Sequence, residues 1–161
     1  MKPLLLAISF CCLAAAESKG ADWPHWRGPL LDGVGQAKTL PDEWSETKNV
    51  LWKTPLPAAG SSTPIVIEGK IFLTLELNSE VLLLCMGEDG KERWQRKVCD
   101  SKGKGNGEKT NASPSPVSDG QRVITMTGTG EVVAFSLEGK EAWRFNAQER
   151  YGKFRLGFGF H

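Results

Sequence analysis

The sequence predicts an all-β fold made of repeated four-stranded antiparallel units, and three observations carry that prediction. Two stretches nearly copy each other: Leu83–Trp94 reads LLCMGEDGKERW and Val132–Trp143 reads VVAFSLEGKEAW. Each runs from an apolar, β-prone segment through an acidic residue and Gly (Asp89-Gly90, Glu138-Gly139) into Lys-Glu-x-Trp (Lys91, Glu92, Trp94; Lys140, Glu141, Trp143). An Asp-Gly pair between apolar runs marks a hairpin, because Gly accepts the positive φ of a tight turn, and Glu-Gly is a weaker form of the same signal. Second, Trp52, Trp94 and Trp143 hold equivalent places, at intervals that suit a repeat of roughly 40–50 residues. Third, the 18 Gly and 9 Pro punctuate the 161 residues so often that short strands and turns fit and a long helix does not.

Taken in order, residues 1–16 read as a secretory signal. Lys2 is a short positive region, Leu4–Leu13 an apolar core, and Ala14-Ala15-Ala16 a small-residue cleavage site. The core is too short to span a bilayer, so no transmembrane segment is expected. A lipid-modified Cys12 is disfavoured because Phe10 and Cys11 stand where small residues belong. Residues 17–49 read as an N-terminal strap. Within it, DWPHWRGPLLDGVG (Asp22–Gly35) carries too many Pro and Gly for a regular element. Such a segment is ordered by laying Trp23 and Trp26 against an apolar edge; the functional alternative is an aromatic ligand platform. Leu40–Trp44 offers one helical turn.

Residues 50–161 read as the repeats. Val50–Thr54 alternates as a strand, with Val50, Trp52 and Thr54 on one face and Leu51 and Lys53 on the other. Ile65–Ile67, a turn at Glu68-Gly69, Ile71–Leu75, a linker Glu76–Glu80, Val81–Met86, the Asp89-Gly90 turn and Arg93–Val98 complete one unit. After a Gly- and Lys-rich surface loop, Cys99–Thr110, the order returns: Val117, Asp119-Gly120, Arg122–Thr127, Val132–Ser136, Glu138-Gly139 and Glu141–Phe145. That loop lacks the Gly-Lys-Ser/Thr ending and strand-to-helix context of a phosphate loop.

Four short strands per unit at this period match the blade of a β-propeller. A blade is apolar on both faces and needs neighbours, so a Trp at a fixed place on each last strand makes sense as the side chain that docks one blade on the next. The expected architecture is two blades plus Val50–Thr54 as a closing strand, an incomplete ring. The chain is therefore expected to be the N-terminal part of a longer protein, with self-association as the alternative if it ends at His161.

These units resemble the repeats of the pyrroloquinoline-quinone (PQQ)-like β-propeller superfamily, whose motif runs small-x-Asp-x-x-x-Gly-Lys-x-x-Trp. The opening DWPHWRGP and LPDEWSETKNVLWKTPLP resemble the start of exported bacterial PQQ-like repeat proteins of the planctomycete type. The resemblance implies that terminal strands share a closing blade. Gly87 and Ser136 stand where the motif's Asp usually falls, so no role of that Asp carries over.

A net charge of +1 supplies no pull toward nucleic acid. With Cys11 and Cys12 leaving in the signal, Cys85 and Cys99 remain, either as a disulfide or with Cys85 a small buried hydrophobe; there is no CxxC metal spacing. His25 and His161 are far apart, and Asn111-Ala112-Ser113 is a sequon that a bacterial host leaves idle. Three functions stay open: a non-catalytic binding or scaffold propeller of the cell envelope, with envelope proteins or cell-wall components as partners; a quinoprotein dehydrogenase using PQQ and calcium; and a carbohydrate or cell-wall module using Trp23 or Trp26. No catalytic, cofactor or metal residue is assigned. Quinoprotein alcohol dehydrogenases commonly use a vicinal Cys pair, and the only one here, Cys11-Cys12, lies in the signal.

Overall fold

The computed structural model describes residues 21–37, 39–58, 60–101 and 110–155. The predicted signal, with Cys11 and Cys12, lies outside these residues, as do His161 and most of the Cys99–Thr110 loop.

Among the described residues, eight strands form two four-stranded antiparallel sheets, each in simple sequential order. The first holds β1 (Ile65–Ile67), β2 (Lys70–Leu77), β3 (Glu80–Gly87) and β4 (Glu92–Asp100). The second holds β5 (Val117–Ser118), β6 (Arg122–Met126), β7 (Glu131–Ser136) and β8 (Glu141–Asn146). The two sheets have the organisation expected of two consecutive propeller blades.

The two copied stretches fold identically. Gly90 N–H donates to Gly87 O at 3.0 Å and Gly87 N–H to Lys91 O at 2.9 Å; Gly139 N–H donates to Ser136 O at 2.9 Å and Ser136 N–H to Lys140 O at 2.8 Å. Gly90 and Gly139 take φ of +71° and +81°, the left-handed region in which Gly alone is unstrained. Opposite the tryptophans stand small, buried residues: Trp94 pairs with Cys85 and Trp143 with Ala134.

β3 reads as an unbroken apolar run because both of its faces are covered. Val81, Leu83 and Cys85 face the second sheet and join Val123, Val133, Phe135 and Leu137 in one core. Leu82, Leu84 and Met86 face the other way and pack with Leu73, Leu75 and Ala58. Leu83 is fully buried; truncating such a side chain to Ala costs about 2–5 kcal/mol.

Three expectations are corrected. Val50–Thr54 is extended but belongs to no strand, because no other described segment offers it a ladder; its facing is nevertheless as expected. Leu40–Trp44 forms no helical turn, and the chain instead makes a small bridge between Ser45 and Lys48. Glu76–Glu80 is not a linker: β2 and β3 run on to Leu77 and Glu80 and turn through Asn78 and Ser79, both at positive φ (51° and 64°), as a two-residue hairpin requires. A short helix, α1 (Ala147–Tyr151), also follows β8. Asn146 caps it by accepting from the Gln148 and Glu149 amides, and Glu149 occupies the third helical position.

Candidate functional site

The recurrent contact between blades is built by the tryptophans. Trp94 Nε1–H donates to Leu137 O at 3.2 Å, one residue before the Glu138-Gly139 turn. Trp52 Nε1–H donates to Glu88 O at 2.5 Å, one residue before Asp89-Gly90. Two residues after each Trp, a side chain donates to the turn glycine itself: Arg96 Nε–H to Gly139 O at 2.9 Å, and Thr54 Oγ1–H to Gly90 O at 2.9 Å. Val50–Thr54 therefore sits against the first blade as β4 sits against the second, although it lacks a sheet of its own. Arg96 also lies over the Trp94 ring, 5.5 Å from its centroid. At the third equivalent place the pattern changes. The residue two beyond Trp143 is Phe145, which cannot donate and stacks on Trp143 instead, with 5.9 Å between ring centroids.

A groove of about 620 Å³ lies where β4 approaches the second blade. Lys97, Val98, Cys99 and Asp100 form one wall; Thr129, Glu131, Arg144, Asn146 and Glu149 form the other. Its cations are held within the protein. Lys97 lies 2.6 Å from Glu80 and 2.7 Å from Asp100, and hydrogen bonds to Asp100 and then Glu80 raise its pKa above the ordinary lysine value. Arg144 donates to Glu141, Glu131 and Val98 O; its bond to Glu141 lowers that carboxyl's pKa and raises its own. These exposed ion pairs each lie within one blade and are worth little singly; the bond that crosses the groove is Arg144 Nη1–H to Val98 O at 3.0 Å.

Cys85 and Cys99 are free, which corrects the disulfide reading. Cys85 pairs with Trp94 and Cys99 with Val81, so they stand about four residues, or roughly 13 Å, apart along the strands, well beyond disulfide reach. Burial pushes the Cys85 thiol from its ordinary 9.0 up to about 11 and raises that of Cys99 as well. Both are poor nucleophiles in this state. The amide of Asn111, in the sequon, is engaged with Ser101 Oγ at 2.7 Å.

In the strap, Trp23 meets the sheet and Trp26 does not. Trp23 forms a bridge with Val66, whereas Trp26 is 63% exposed, with Arg27 5.7 Å from its ring centroid. The His25 imidazole lies between them in sequence, its Nδ1 buried without a partner.

A quinone with calcium would need a carboxylate and amide set on the inner, axial edges of the sheets. Those edges, β1 and β5, carry Ile65, Val66, Ile67, Val117 and Ser118, and the strap lies along them. Asp22, in the strap, accepts from the Glu68 amide at 2.9 Å, and Asp119, directly after β5, accepts from the Gln121 and Arg122 amides. The described residues do not fit that group. Among them, no set of three or more His, Cys, Asp or Glu side chains is arranged to hold a metal ion, and no helix is long and apolar enough to cross a membrane.

The sequence matches the PQQ_2 family, described as outer membrane protein assembly factor BamB, over residues 42–149. No curated protein matches the chain. The matched span includes Trp52, Trp94 and Trp143 together with both turn glycines. Sequence reasoning located the docking tryptophans but missed Arg96, Thr54 and the groove. The Trp-x-Arg and Trp-x-Thr spacing could have flagged the first two. The groove is made by side chains far apart in sequence and left no local signal.

Proposed function

We propose, from the premise that this chain belongs to the PQQ_2 repeat family, that it is an exported, non-catalytic β-propeller segment serving as a binding or scaffold module in the cell envelope. One observation carries the reading. The side chains that recur from unit to unit, Trp52 and Trp94 with Thr54 and Arg96 beside them, are all spent on holding one unit to the next. What recurs is structural, and recognition belongs to surfaces that do not recur. Such a surface takes envelope proteins or cell-wall components as partners.

Two experiments test this. Added PQQ and calcium leave the melting temperature of the protein unchanged; a saturable rise of several degrees contradicts the non-catalytic reading. Export is tested by N-terminal sequencing of protein recovered from the envelope: the account expects a chain beginning at Glu17, and a retained Met1 contradicts it.

A second reading is favoured by Trp26, whose indole is exposed beside the Arg27 guanidinium in the manner of a sugar-stacking platform. Binding to cell-wall glycans that disappears in Trp26→Ala would select it over protein scaffolding.

A further inference from the structure

We infer that Asp22–Gly28 is a clasp that locks two successive blades together at their inner edges and withholds those edges from any axial ligand. The inference stands on hydrogen bonds and is independent of the binding role proposed above. Trp23 N–H donates to Val66 O at 2.7 Å, and Val66 N–H returns to Trp23 O at 3.0 Å. One residue earlier, Asp22 Oδ1 accepts from the Glu68 amide at 2.9 Å. One residue later, Pro24 O accepts from the Ser118 amide at 2.8 Å. Three consecutive residues therefore satisfy the free edge of β1 in one blade and of β5 in the next.

Sequence chemistry makes the clasp stable in place. Proline at position 24 has no amide to leave unpaired, yet its carbonyl is the acceptor that reaches the second blade. Trp23 is backed by Gly28, at φ +73°, where an added Cβ would come within 2.6 Å of the indole ring. Gly28 N–H donates to His25 O at 2.8 Å, and Gly33 N–H to Arg27 O at 2.8 Å, folding the following residues into a compact turn behind Trp23.

The clasp and the Trp94 contact work from opposite rims. Trp94 and Arg96 reach from the outermost strand of the first blade to a turn of the second, and the clasp joins the innermost strands. A blade pair held at both rims cannot hinge without releasing one of them. The amides of Val66, Glu68 and Ser118 would otherwise be the free donors facing the axis, so opening the clasp is the step that exposes them. The strap is in this sense a built-in occupant of the site where a ligand on the axis would bind.

Amide hydrogen exchange on the full chain tests this. In the wild type, the Val66, Glu68 and Ser118 amides are protected together. Gly28→Ala displaces the indole and raises exchange at all three by about tenfold or more, since the bonds open as a unit. The amides of β3 and β4 stay as in the wild type. Unchanged exchange at Val66 and Ser118, or release of Val66 without Ser118, overturns the clasp. Should Gly28→Ala loosen the whole sheet, Asp22→Ala decides: it removes the acceptor for Glu68, whose exchange rises most, and because the clasp opens as a unit exchange at Val66 and Ser118 rises with it, whereas unchanged exchange at Val66 and Ser118 overturns the proposal.

Discussion

The indole of Trp94 packs against the α-carbon of Gly139 so closely that a methyl group there would come within 2.9 Å of the ring. Trp52 bears the same relation to Gly90, at 2.5 Å. The turn glycine thus answers two demands at once: a left-handed φ to close the hairpin, and a bare surface on which the neighbouring tryptophan lies. Within reach of the same indole, the carbonyl before the acidic residue accepts its N–H.

That double demand separates glycines that look alike in sequence. Gly120 also has a positive φ, +87°, but nothing lies within 4 Å of a Cβ placed there. Gly120→Ala is expected to cost about 1–2 kcal/mol, the conformational penalty alone. Gly139→Ala adds the displacement of Trp94 and is expected to cost about 3–4 kcal/mol. Urea denaturation of the two variants gives the comparison; equal losses contradict the docking role of Gly139.

Much of this was legible in the sequence, and the reason is physical. The hairpins were readable because an acid-Gly pair between apolar runs has few other uses, and the blade period because Trp recurs on the same strand. The Asn78-Ser79 turn was missed because it contains no Gly or Pro, although Asn tolerates left-handed φ. The helix at Ala147–Tyr151 was missed because only five residues carry it, despite Asn146 and Glu149 standing in cap positions. Val50–Thr54 shows the limit most plainly. Alternation revealed which face Trp52 and Thr54 present, but a strand exists only with a partner, and no pattern within five residues supplies one.

The donors two residues beyond the tryptophans give a second prediction. Thr54→Val keeps the shape and removes the hydrogen bond to Gly90 O, leaving that acceptor unsatisfied. The expected loss is about 1 kcal/mol. Arg96→Met removes a charge-assisted bond and the cation over Trp94, for about 2 kcal/mol at this partly exposed site. Thermal melts of both variants measure this, and no shift for either would show that the donors are incidental.

The buried thiol gives a third. Cys85 is fully buried in the core between the sheets, and its pKa rises from 9.0 to about 11 because burial disfavours the thiolate. The folded chain holds this proton more tightly than the unfolded one. Its contribution is therefore complete below pH 9 and is lost as pH rises from about 9 to about 11. The linked loss is on the order of 2–3 kcal/mol. Stability measured across that range should fall more steeply in the wild type than in Cys85→Ala. Parallel curves contradict the assignment.

The central claim is that the blades are joined by a tryptophan lying on a turn glycine, and a double-mutant cycle between Trp94 and Gly139 tests it most directly. Trp94→Ala removes the indole that a methyl at position 139 would strike. Gly139→Ala should consequently cost only its conformational penalty in that background. The account predicts that the two losses fall short of additivity by about 1–2 kcal/mol, as for residues in direct contact. Losses that add to within about 0.5 kcal/mol would contradict it.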